Sequence, residues 1–169
     1  MPSDIVIQCS HALKDRDLSI CFAESATAGK VVSEFALIPN CGSVLVGSIV
    51  CYDVSVKINV LGVSPDMIDE FTPESAEVTE QLAVGLKKLI PADIVIAVTG
   101  LAAPGGSETE EKPVGTMFVN GFIKDQPFGF RRYFDAEPED VMLKTIDAIA
   151  EYLLQNLPAA DLEKGAPNC

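Results

Sequence analysis

Three short polar segments follow apolar, strand-like runs in this sequence, and each carries side chains able to do chemistry. The first is Ala23-Glu24-Ser25-Ala26-Thr27-Ala28-Gly29. If a helix begins at its end, free backbone N–H groups and the positive end of the helix dipole gather beside Ser25 and Thr27. Such donors bind a phosphate or stabilise the oxyanion of acyl transfer, and a glycine such as Gly29 lets the backbone come close to a ligand. The same residues also suit a plain helix N-cap at Ser25 or Thr27. The second segment is Tyr52 with Lys57 five residues on. A serine hydroxyl is a weak nucleophile until a base takes its proton. The one histidine, His11, falls on an amphipathic helix pattern, which leaves a lysine of lowered pKa as the candidate base. Tyr52 then relays a proton or orients the lysine. Read without that context, the pair is a strand-end aromatic and a solvated lysine. The third segment, Thr99-Gly100-Leu101-Ala102-Ala103-Pro104-Gly105-Gly106, offers backbone donors to a substrate, and is equally an ordinary surface loop. It carries neither the Gly-Lys-Ser/Thr of a P-loop nor G-x-G-x-x-G.

The elements that position these segments follow from periodicity. Ile5, Cys9, Ala12 and Leu13 predict a helix over Ser3–Arg16, and Leu18–Phe22 predicts a buried strand. Val31, Val32, Phe35 and Ala36 predict a helix that stops before Pro39; Val44–Tyr52 predicts a second strand. Ser55–Leu61 and the turn opened by Ser64-Pro65 read as short helices. Thr72-Pro73-Glu74 reads as the start of a longer helix carrying Val78, Leu82, Leu86 and Leu89. Asp93–Thr99 is apolar on both faces, as a central strand covered on both sides must be. Val114–Ile123 and Phe128–Phe134, joined by Lys124-Asp125-Gln126-Pro127, predict a hairpin, and Glu139–Leu157 a last helix. Alternating helices and strands with a late hairpin predict a three-layer α/β/α sandwich with a mixed, mostly parallel sheet. One domain is expected over residues 1–157, with a frayed tail over 158–169.

Composition narrows the functions. A net charge of −13 over 169 residues repels phosphate backbones, so nucleic acid is not an expected partner. The five cysteines are irregularly spaced and lack a C-x-x-C pair, so neither a zinc site nor a disulfide framework is expected. Cys21 and Cys51 lie in apolar runs and read as reduced core residues, which points to the cytoplasm. No signal pattern opens the sequence and no apolar stretch approaches a membrane span, so no membrane partner is expected either. The acids Glu108, Glu110 and Glu111, and Glu137, Glu139 and Asp140, read as solvated faces or helix-start charges. Oligomeric state is left open, a homo-oligomer included.

Four segments in this order resemble the C-terminal domain family of CinA-type proteins, over about Ile20 to Leu154. The family's A-E-S-C-T-G-G stands here as Ala23–Gly29, and its G-G-V-V-x-Y-S-N-x-x-K as Gly47–Lys57. Its T-G-I-A-G-P-G-G stands as Thr99–Gly106, and its K-P-V-G-T is unchanged at Lys112–Thr116. The resemblance implies a three-layer α/β/α fold, expected here as a stand-alone domain. It also implies hydrolysis of the carboxamide of nicotinamide mononucleotide, a small pyridine nucleotide, to nicotinic acid mononucleotide and ammonia. No cofactor or metal is implied. By the same resemblance Ser25 is the nucleophile, Lys57 its base and Tyr52 the accompanying tyrosine. Glu24, Thr27, Gly29, Gly47, Ser48, Thr99, Gly100 and Gly105 are expected to bind substrate.

The sequence also departs from the family. Ala26, Ala28 and Ser48 replace a cysteine and two glycines, and Asp53-Val54 replaces S-N. The family's F-x-G-D-R-x-x-V-R reads Phe134–Met142 here, so its two arginine positions hold Pro138 and Met142. Neither replaces a guanidinium that pairs with phosphate or developing negative charge. Two alternatives therefore stand beside the amidase: a catalytically altered relative that binds a nucleotide or protein, or hydrolyses another amide, and a domain without pocket chemistry.

Overall fold

Residues 1–159 are described by the computed structural model. Helix α1 (Asp4–Lys14) is capped by Ser3, whose hydroxyl accepts from Val6 N. Strand β1 (Ile20–Glu24) leads through a tight turn into α2 (Lys30–Ala36). Strand β2 (Leu45–Val50), then α3 (Val54–Asn59), α4 (Pro65–Phe71) and α5 (Ala76–Leu89) precede the central strand β3 (Ile94–Gly100). The hairpin β4 (Thr116–Ile123) and β5 (Gln126–Tyr133) and helix α6 (Pro138–Asn156) complete the order.

The sheet order is β2-β1-β3-β4-β5. β2, β1 and β3 are parallel neighbours, and β4 is antiparallel to both β3 and β5. This is the mixed α/β sheet expected. The apolar runs of β1 and β3 divide between its faces by the two-residue repeat of a strand. Ile20, Phe22, Ile94, Ile96 and Val98 pack with α1, α2 and α6. Cys21, Ala23, Val95 and Ala97 pack with α5 and the segment Leu61–Ile68. Burial pushes the Cys9 and Cys21 thiols up to about 12 and Cys51 to about 11, so all three stay protonated. Among the described residues no helix is long and apolar enough to cross a membrane.

Some boundaries differ from the expectation, each for a local reason. β1 extends two residues further, through Glu24, because the carboxylate of that residue is fully hydrogen-bonded inside the fold. The long helix starts at Ala76, not at Thr72-Pro73-Glu74. Ser75 caps it by accepting from Val78 N (3.2 Å), whereas the Thr72 hydroxyl is taken by Ser107 and Lys112. The hairpin turn is shorter than expected: Gln126 and Pro127 already pair with Ile123 and Phe122. Proline is tolerated there because β5 is an edge strand. Most of the tail expected to fray, residues 160–169, lies outside the described residues. Its first residue, Pro158, is anchored by Arg16 Nε, which donates to its carbonyl (2.7 Å).

Because β1, β2 and β3 are parallel, their carboxyl ends share one edge, and the turns after Glu24, Val50 and Gly100 meet there. α3 hangs from that edge, and α5 seats the chain that follows it. A Cβ at Gly85 would lie 1.9 Å from the Leu61 carbonyl oxygen, so only glycine permits this approach. Gly85→Ala should destabilise the domain by about 1–3 kcal/mol through overpacking. At about 2–4 °C per kcal/mol for a domain of this size, thermal denaturation followed by circular dichroism reads that loss.

Candidate active site

Glu24 organises the turn after β1. Its side chain is wholly buried. Oε2 accepts from Thr27 Oγ1 (2.9 Å), Gly29 N (3.0 Å) and Val31 N (2.9 Å). Oε1 accepts from Val32 N (3.0 Å) and from Ser48 Oγ (2.9 Å) on β2. The carboxylate thus caps the first turn of α2 from inside the protein, where the helix dipole favours negative charge. The turn runs through a left-handed residue, Ala28 (φ 49), at one of the positions where the family has glycine. That conformation costs a non-glycine residue about 1–2 kcal/mol.

Ser25 follows directly and is held by its own N–H, which donates to Val98 O on β3 (2.9 Å). Its hydroxyl faces Lys57. The Lys57 side chain reaches the serine from α3, whose N-cap Asp53 accepts from Ser55 N (2.8 Å). Lys57 is 1% exposed, a rare place for a lysine. Its Nζ lies 2.8 Å from Ser25 Oγ, 2.7 Å from Cys51 O and 3.2 Å from Tyr52 O. Burial holds the Lys57 pKa below its ordinary value; the carboxylates of Glu74 and Asp53 push back against that lowering. Three oxygens around the nitrogen fit both protonation states. An ammonium donates to all three, while a neutral amine donates to the two carbonyls and turns its lone pair to the Ser25 hydroxyl.

A cleft of about 250 Å³ opens over Ser25. Ala26, Tyr52, Glu74, the loop from Gly100 to Gly106, and Met142 line it. The loop hugs β4: a Cβ at Gly100 would meet Met117 Sδ at 2.5 Å and Thr116 O at 2.6 Å. Lys112 straps the far end of the loop, donating to Thr72 Oγ1 (2.7 Å), Glu74 O (2.8 Å) and Ser107 Oγ (2.7 Å).

Of the residues expected to bind substrate, Gly100 and Gly105 line the cleft. Glu24, Thr27, Gly29 and Ser48 form the network behind Ser25 instead. Thr99 is wholly buried and bonds Thr79 (2.7 Å), tying the end of β3 to α5. Gly47 does not line the cleft. It pairs with Cys21 three residues before the end of β2, about 10 Å back along the strand at the usual rise per residue. Tyr52 orients Lys57 through its carbonyl oxygen; its ring is 69% exposed on the cleft wall. Glu74 and Met142 were not expected as lining residues. Glu74 lay hidden in an assumed helix start, whereas Met142 occupies one of the two arginine positions of the family pattern. Among the described residues no group of three or more His, Cys, Asp or Glu is arranged to hold a metal ion.

A three-layer α/β/α domain with a buried serine–lysine contact at the carboxyl edge of its parallel strands is the class these features define. Residues 3–157 match the CinA C-terminal domain family, and the chain belongs to that family. It is 39% identical over 110 residues to a CinA-like protein of Thermotoga maritima, covering 65% of this chain and 27% of that protein. A CinA-like protein of Pseudothermotoga lettingae is 33% identical over 145 residues, covering 84% of this chain and 34% of that protein. The chain therefore spans about a third or less of these relatives. A CinA superfamily protein of Escherichia coli superposes with a TM-score of 0.84 at 27% identity, over 91% of this chain and 89% of that one. The competence/damage inducible protein CihA of Agrobacterium tumefaciens gives 0.84 at 25% identity, over 92% and 97%.

The Glu24 network makes a sharp expectation. Glu24→Gln keeps the shape but turns one carboxylate oxygen into an NH₂ that faces donors. It should cost about 2–4 kcal/mol, since each buried group left facing a like donor loses about 1–3 kcal/mol. A urea titration of the two proteins measures the difference.

Proposed function

We propose that this chain is a serine amidohydrolase that converts nicotinamide mononucleotide to nicotinic acid mononucleotide and ammonia. The observation that carries the reading is the set of oxygens around Lys57 Nζ: two carbonyls that only accept, and the Ser25 hydroxyl 2.8 Å away. With both N–H bonds of the neutral amine committed to Cys51 O and Tyr52 O, the lone pair points at the serine proton. Family membership and the departure of this lysine from its ordinary pKa support the same assignment.

In this reading neutral Lys57 takes the Ser25 proton as Oγ attacks the amide carbon. The oxyanion that forms is met by the N–H of Ala26, a cleft residue whose amide makes no hydrogen bond among the described residues. Lys57 then returns the proton to the amide nitrogen, the C–N bond breaks, and ammonia leaves an ester on Ser25. Water, deprotonated by Lys57 in turn, cleaves the ester to the carboxylate and regenerates the serine. Tyr52, aromatic and exposed at the cleft wall, supplies a face for the pyridine ring.

One observation favours a second reading within the same site. Met142 lines the cleft where the family pattern has arginine, which fits a relative that hydrolyses another amide or binds a nucleotide or protein without turnover.

Ammonia release from nicotinamide mononucleotide, beside an active homologue as control, decides between them; no release from this chain overturns hydrolysis of that substrate and leaves the second reading, in which the same serine hydrolyses another amide or the site only binds. Ser25→Ala should abolish turnover. Lys57→Met should lower kcat by about 10²–10⁴-fold, the usual contribution of general acid–base catalysis. For the wild type, kcat/KM should rise with pH as Lys57 loses its proton. Because burial holds that pKa down, the limb should be centred below the ordinary lysine value of 10.5. A limb at or above that value would remove Lys57 as the base.

A further inference from the structure

We propose that the cleft selects a positively charged aromatic amide that carries no phosphate, a pyridinium nucleoside, over its phosphorylated counterpart. The inference rests on the amidase reading of Ser25 and Lys57, and concerns which substrate that site accepts.

Two sets of backbone donors at this edge could hold a phosphate, and both are filled by carboxylates of the chain itself. The first is the N-terminus of α2, where the Gly29, Val31 and Val32 amides all donate to Glu24. Glu24 is wholly buried and also bonded to Thr27 and Ser48, so a substrate anion cannot displace it without dismantling the turn. The second is the glycine-rich loop. Gly105 N donates to Glu108 Oε1 at 2.8 Å. That amide first, and then those of Glu108 and Gly106, hold the Glu108 carboxyl below its usual range.

The side chains lean the same way. Among the described residues that line the cleft, Glu74 is the one carboxylate, and no lysine, arginine or histidine stands with it. Its Oε2 accepts from Ser107 Oγ (2.5 Å), and no ion pair holds it. The nearby cations are committed. Two of the Lys57 contacts are carbonyls, and all three Lys112 contacts belong to the loop strap. Lys112 offsets part of the Glu74 field, with Arg131 beside it, while Glu108 and Glu77 lie near the same lysine and keep the local balance of charge acidic. Arg131 donates to Glu111 O and Thr116 Oγ1. Lys30 pairs with Glu34 and Glu139. What remains facing the cleft is a carboxylate, an aromatic ring at Tyr52 and an apolar side chain at Met142. A carboxylate with an aromatic face binds an organic cation, and the same carboxylate repels a phosphate dianion.

The test compares nicotinamide riboside with nicotinamide mononucleotide, which share the pyridinium carboxamide and differ by the phosphate. At low ionic strength kcat/KM should favour the riboside by about tenfold, and the preference should shrink in about 0.5 M sodium chloride as the charges are screened. Glu74→Gln should narrow the ratio, and Met142→Arg should move it towards the phosphorylated substrate. Equal rates, or a preference for the mononucleotide by the wild type, overturn this inference and leave the amidase reading standing. If neither compound is hydrolysed, the amidase reading fails, and calorimetric titration of the Ser25→Ala protein decides the charge preference. Tighter binding of the riboside upholds it; tighter binding of the mononucleotide, or of neither, overturns it.

Discussion

The Glu24 carboxylate is buried with no ion pair among the described residues, and the site is built around it. Removing a carboxylate from water costs several kcal/mol even after the protein relaxes. Five donors meet it, each charge-assisted bond returning about 1.5–3 kcal/mol, so the interaction is favourable only because the set is complete. Completeness has a geometric consequence. The donors come from the turn, from the first residues of α2 and from β2, so satisfying one carboxylate fixes the relation of all three. Ser25 lies inside that turn and is pinned on its other side by Val98. Its direction is thus set by groups that do not line the cleft.

Lys57 meets burial in the opposite way. Its environment holds no carboxylate at bonding distance, only two carbonyls and a hydroxyl. Such a lysine lowers the cost of its burial by becoming neutral, which is the form a base needs. Desolvation thus links the packing of this lysine to its protonation. Asp53 and Glu74 work against it from outside and limit how far the lowering goes.

The strand ends were legible in the sequence because hydropathy is local. Ile94–Val98 is apolar on both faces, and only a strand covered by two helical layers can use such a run. The parallel order then brings the segments after β1, β2 and β3 to one edge. Glu24 was harder to read. A charged residue in a strand looks like the end of that strand until its partners are known, and four of those partners lie three to eight residues downstream. The contact between Ser25 and Lys57 is not written in either segment's pattern either. Family resemblance paired them, because 32 residues separate them and no periodicity spans that gap. Gly47 lies off the cleft for the converse reason: it sits in a segment that ends in the site, but β2 carries it away from the edge.

The Ser25–Lys57 contact and the charge of the cleft come from different parts of the chain. Ser25 and Lys57 depend on β1, β2, β3 and α3, whereas Glu74 sits between α4 and α5, Glu108 in the long loop and Met142 on α6. Substitutions in the second group can alter the field a substrate meets while the three oxygens around Lys57 stay where they are. The loop is the least constrained part of that group. Its start is fixed by the close approach of Gly100 to β4 and its end by the Lys112 strap, while Ala103–Gly106 between them is exposed. In a domain arranged in this way the wall of the cleft can change while the serine–lysine contact is kept, because that contact is set by buried bonds and much of the wall by exposed residues.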